Sequence, residues 1–130
     1  DNVVDMTPEE LEKFCEIQSK RHYTNNVVIQ GGDPLYIKNV NAVKEWLDNT
    51  KFNVCVYTGC SIDEVIDLDL SAKFFKCGKY DNTKLNKVDN NGDGVLVLAS
   101  YNQDIFDNNY KKISSNGIYN PIEWSGYGSN

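Results

Sequence analysis

The stretch with the most chemical promise is Gly31-Gly32-Asp33-Pro34, directly after the apolar run Val27-Val28-Ile29. Ligands of α/β proteins sit at the carboxyl ends of buried strands, and this stretch stands at such an end. Two glycines let the backbone approach a ligand closely or take positive φ. Asp33 offers a carboxylate to an ammonium group, and Pro34 stiffens the turn. The plain alternative is a strand-to-helix turn. Tyr57-Thr58-Gly59 ends a second apolar run, where the Thr58 hydroxyl and the Gly59 backbone would line the same cleft. Glycine after a strand is otherwise a common turn residue.

Other reactive residues are less well arranged. Cys15, Cys55, Cys60 and Cys77 contain no Cys-x-x-Cys, and His22 is remote from all four in sequence. Zinc-ligand spacing is therefore absent, and no Cys–His pair suggests a thiol nucleophile. Most of these cysteines stand in apolar or amphipathic stretches, so they read as reduced, small core residues of a cytoplasmic-type protein. Asp89-Asn90-Asn91-Gly92-Asp93-Gly94 has the first half of a calcium-loop spacing. Its twelfth position is Ser100 where such a loop needs a bidentate Glu, so a turn is the expected role.

The chain has 130 residues and a net charge of −6, with 40% hydrophobic residues. That suits one domain with its own core. The acidic balance argues against a nucleic-acid surface. No apolar run approaches the ~20 residues of a membrane span.

The elements that must hold these residues alternate. Thr7-Pro8-Glu9-Glu10 is a capping box with Pro at the first helical position, opening a helix to about Arg21 with Leu11, Phe14 and Cys15 on its core stripe. Val27–Ile29 reads as a strand, and a helix from about Asn39 carries Val43, Trp46 and Leu47 on one face. Asn53–Tyr57 is a second strand, Ser61–Glu64 caps a short helix through Ile66, and Lys73–Cys77 is a third strand. A polar stretch then leads to a fourth apolar strand, Val95–Ala99, and an irregular surface tail is expected from Ser114. The expectation is one α/β domain over 1–130: a βα-repeat portion (1–81), a long loop with the last strand (82–113), and the tail (114–130).

Val27-Val28-Ile29-Gln30-Gly31-Gly32-Asp33-Pro34-Leu35-Tyr36, then Val54-Cys55-Val56-Tyr57-Thr58-Gly59, then Cys77-Gly78-Lys79-Tyr80, resemble a known series. It is that of the activating protein of anaerobic ribonucleotide reductase, a small radical S-adenosylmethionine family. Order and spacing agree over residues 26 to 81. Ser100-Tyr101-Asn102-Gln103 is similar to a later family segment. The resemblance implies a partial (β/α) barrel of mainly parallel strands, lacking its first strand and cluster loop. S-adenosylmethionine would bind at the carboxyl edge, with Gly31, Gly32, Asp33 and Pro34 toward its amino group and Thr58 and Gly59 in the same cleft. Asn102 and Gln103 would serve the substrate or partner, a glycyl-radical enzyme such as the reductase's large subunit.

The chain departs from the family at the 4Fe–4S cluster. The family's Cys-x-x-x-Cys-x-x-Cys loop has no counterpart here, and the arginines flanking the later segment are replaced, with Leu98 and Asp104 near those places. The cluster is expected only if such a loop precedes Asp1, and the chain alone should be catalytically inert. A missing first strand would also leave a bare sheet edge that invites a second copy. Two rival readings are a degenerate, non-catalytic binding module of the same fold and an unrelated small-ligand α/β domain.

Overall fold

The computed structural model describes residues 7–30, 34–36, 39–87 and 95–120. Helix α1 (Pro8–His22) begins at the expected capping box: Thr7 Oγ1 accepts from Glu10 N, and Glu10 Oε1 accepts from Thr7 N. It ends on Tyr23 in the left-handed region. Then follow β1 (Asn26–Ile29), α2 (Val40–Asn49), β2 (Asn53–Tyr57), α3 (Ile62–Leu68) and β3 (Phe74–Cys77). Ser61 and Glu64 close the second capping box at the start of α3. Three short strands complete the chain: β4 (Leu96–Val97), β5 (Asp104–Asp107) and β6 (Ile118–Tyr119).

The result is a mixed α/β fold with a four-stranded sheet in the order β1-β2-β3-β5. β1, β2 and β3 are parallel, as short helical crossovers require, and β5 joins antiparallel. Sheet register pairs Val27 with Val54, Val56 with Phe75, and Phe75 with Phe106. Side chains alternate along a strand, so these residues share one face. They pack with Leu11, Cys15, Val43, Trp46, Leu47 and Val65 of the helices into the main core. The opposite face carries Val28, Cys55, Tyr57, Phe74 and Lys76. Val28 is 48% exposed and Phe74 41%, so that face is uncovered by helices among the described residues.

Three expectations are corrected. The strand expected over Val95–Ala99 contributes only Leu96 and Val97, which pair with β6 in a separate ribbon. The fourth place in the sheet belongs to β5, whose antiparallel register brings Ile105 beside Lys76. Phe14, expected in the core, is 42% exposed on a flank of α1, because Leu11 and Cys15 alone fill the stripe facing the sheet. Of the segment from Ser114, expected to run over the surface, the described part (114–120) is pinned instead. Buried Ser114 donates to Asp104 Oδ1 at 2.7 Å and accepts from Ile105 N at 2.8 Å. Gly117, at φ 77°, donates to the same Asp104 oxygen. Ile113, Ile105 and Leu98 form a second small core.

One carboxylate ties α1 to α2. Glu12 accepts from Trp46 Nε1 at 2.8 Å, Thr50 Oγ1 at 2.6 Å and Lys51 N at 3.4 Å. Trp46 is 1% exposed, so within the fold its indole N–H depends on Glu12 for an acceptor. Glu12→Ala should lower the unfolding free energy by about 2 kcal/mol in urea titration. A loss under about 0.5 kcal/mol would mean that the indole finds another acceptor.

Candidate functional site

Thr58, Gly59, Gly78 and Lys79 follow directly on the carboxyl ends of β2 and β3. With Gln30, Tyr57, Lys76, Tyr80 and Gln103 they line an open cleft of about 340 Å³. Each parallel strand contributes at or just beyond its end, which is where this topology gathers ligand-facing groups. Thr58 N donates to Lys76 O at 2.9 Å, and Gly78 N donates to Cys60 O at 3.0 Å, so the two strand ends stay joined past the ladder. The Thr58 hydroxyl accepts from Cys60 N at 3.0 Å and closes the turn into α3.

Gly78 cannot be exchanged cheaply. Its φ is 108°, and an added Cβ would stand 3.1 Å from Asn102 O and 3.3 Å from Gln103 Cα. The close approach exists because the 100–103 turn grips this strand end. Gln103 is buried; its Nε2 donates to Gly78 O at 3.2 Å and its Oε1 accepts from Ser100 N at 3.1 Å. Asn102 Nδ2 donates to Lys79 O at 2.9 Å. Ser100, fully buried, accepts from Asp81 N at 3.2 Å. Both amides expected to serve a substrate or partner thus hold the cleft's main chain in place. Gln103 also lines it, whereas Asn102 lines an adjoining groove with Lys79, Tyr80, Asp81 and Asn82.

The cleft is cationic. Lys76 Nζ lies 4.7 Å from the centre of the Tyr57 ring, on the uncovered sheet face, and Lys79 supplies a second ammonium. In the adjoining groove, hydrogen bonds from Thr83 hold the Asp81 carboxyl below its usual range. Cys55 lies on the same sheet face as Lys76. Burial pushes its thiol from the ordinary 9.0 up to about 11, against a smaller opposing effect of Lys76. Burial, reinforced by Glu12, likewise pushes Cys15 to about 11. Neither is poised as a nucleophile near neutral pH.

The structure therefore brings Thr58, Gly59 and Gln103 into one cleft. Pro34 is buried and is not among the residues lining it. Gly31, Gly32 and Asp33, and the Asp89–Gly94 turn, lie outside the described residues. Sequence reasoning missed Lys76, which interrupts an apolar run; alternation about Phe75 is the signal that turns it to the open face. Among the described residues, no three His, Cys, Asp or Glu side chains gather to hold a metal ion. No helix among them is long and apolar enough to cross a membrane. No family model, curated protein or solved structure matches the chain.

The raised thiols fix a pH dependence. Well below pH 9 both thiols are neutral in the folded and unfolded chain and cost nothing. Between 9.0 and about 11 the unfolded chain loses these protons first, so stability falls as pH rises through that window. Urea midpoints measured from pH 8 to 11 should decline, and a Cys15→Ala/Cys55→Ala variant should decline less steeply. Parallel slopes for the two proteins would contradict the assignment.

Proposed function

We propose that this chain is the S-adenosylmethionine-binding part of a radical S-adenosylmethionine activase whose partner is a glycyl-radical enzyme such as anaerobic ribonucleotide reductase. The observation that carries the reading is the cleft at the carboxyl edge, in which Thr58, Gly59 and Gln103 meet. Its remaining lining suits the ligand. Lys76 and Lys79 would pair with the methionine carboxylate, a charge-assisted contact. Gln30 and the Thr58 hydroxyl would reach ribose hydroxyls, and the rings of Tyr57 and Tyr80 would flank the adenine. By resemblance, Gly31, Gly32, Asp33 and Pro34 would take the amino group. The uncovered sheet face with Val28, Cys55, Tyr57, Phe74 and Lys76 would then be the inner wall of a partial barrel, located in the cytoplasm.

The four thiols of this chain do not fit a 4Fe–4S cluster. Cys15 is buried on α1, Cys55 is on the open face of β2, and Cys60 and Cys77 are at or just past strand ends. The residues here therefore bind and orient the ligand, and the thiols of this chain would not supply the cluster that radical chemistry needs. The same misfit favours a second reading, a binding module of this fold without chemistry.

Calorimetric titration of the folded chain with S-adenosylmethionine should give one site with Kd of about 10–100 µM. Lys76→Ala and Lys79→Ala should each weaken it about tenfold, or ~1.4 kcal/mol. No heat at millimolar ligand would remove both readings. Binding with 5′-deoxyadenosine released on reduction after reconstitution with iron and sulfide supports the activase. Binding with no cleavage supports the module.

A further inference from the structure

Helix α1 has two flanks, and among the described residues only one is packed against another element. Glu12 and Glu16 face α2 and its exit, bonding Trp46, Thr50 and Lys51. On the other flank stand Glu10, Phe14, Ile17 and Arg21, spaced four, three and four residues apart. That is the spacing of a coiled-coil seam. All four are exposed, Phe14 at 42% and Ile17 at 54%. Phe14 and Ile17 thus form a small exposed apolar pair flanked by two opposite charges.

We infer that α1 pairs antiparallel with α1 of a second copy of this chain through Glu10, Phe14, Ile17 and Arg21. The stripe is self-complementary about a two-fold axis. Positions 10 and 21, and positions 14 and 17, are equidistant from the point between Cys15 and Glu16, close to the helix centre at Cys15. An antiparallel partner therefore sets Glu10 against Arg21 twice, and Phe14 against Ile17 twice, as an isologous interface demands. The helix as a whole repeats the complementarity, with Glu9 and Glu10 in its first turn and Lys20, Arg21 and His22 in its last. Antiparallel pairing also opposes the helix dipoles favourably. Glu10 is preorganised for this, since its Oε1 is already tied to Thr7 N at 2.9 Å. Self-association expected at a bare sheet edge thus has a more specific surface in α1.

One stripe of four side chains per copy makes a small interface, so the association is weak, with Kd of about 100 µM. Sedimentation of the full chain from ~10 µM to ~1 mM should show a monomer–dimer equilibrium. Ile17→Asp should abolish it, and Arg21→Glu, which sets like charges together, should weaken it fivefold or more. Glu10→Gln added to Arg21→Glu keeps the capping box and relieves the repulsion, so this double variant should bind more tightly than Arg21→Glu alone. Circular dichroism of each variant establishes that the helix is intact. A wild-type chain that stays monomeric throughout overturns the proposal and leaves the stripe to another partner. A dimer indifferent to both Ile17→Asp and Arg21→Glu overturns it too, and so does a double variant no tighter than Arg21→Glu.

Discussion

The carboxyl edge of the sheet depends on the grip of Gln103 on Gly78. A parallel sheet ends in a row of diverging strand exits, and nothing in the ladder fixes the main chain beyond the last paired residue. Here the buried amide of Gln103 donates to Gly78 O while its oxygen accepts from Ser100 N, and Asn102 holds the next carbonyl, Lys79 O. The close approach this creates is possible only because residue 78 has no Cβ. The position of Lys79, and with it one cationic wall of the cleft, follows from that contact. So does the placement of β5, which leaves the turn antiparallel to β3.

A second consequence concerns the two faces of the sheet. Parallel strands are ordinarily buried on both sides. In this chain the helices and the main core cover one side, while Val28, Phe74 and the Tyr57–Lys76 pair remain on the other. Toward β5 that face is closed by the second small core, since Ile105 beside Lys76 is buried there with Leu98 and Ile113. At its carboxyl end it opens into the cleft, where a chain of net −6 places Lys76 and Lys79.

Much of this was legible in the sequence, and the reasons are local. Capping boxes at Thr7/Glu10 and Ser61/Glu64 place helix starts because their partners are three residues away. β1, β2 and β3 are built on the apolar runs Val27–Ile29, Val54–Tyr57 and Phe74–Phe75, so they stand out without register. β5 does not: only Ile105 and Phe106 are apolar between Asp104 and Asp107, and its identity as a strand comes from pairing with residues about thirty positions earlier. The same holds for the site. Thr58 and Gly59 are found because they follow a strand directly, whereas Lys76 needs the sheet face to be known. Asn102 and Gln103 were singled out through the family resemblance alone, and their partners Gly78 and Lys79 are brought near only by the fold.

The central claim is that the ligand sits at the junction of the β2 and β3 exits. The most direct measurement is a titration of isotopically labelled chain with S-adenosylmethionine, followed through backbone amide resonances. The account predicts that the amides of Thr58, Gly59, Gly78 and Lys79 shift together along one saturable curve, with those of α1 and β6 unmoved. Saturable shifts centred elsewhere, with these four amides unchanged, would contradict it.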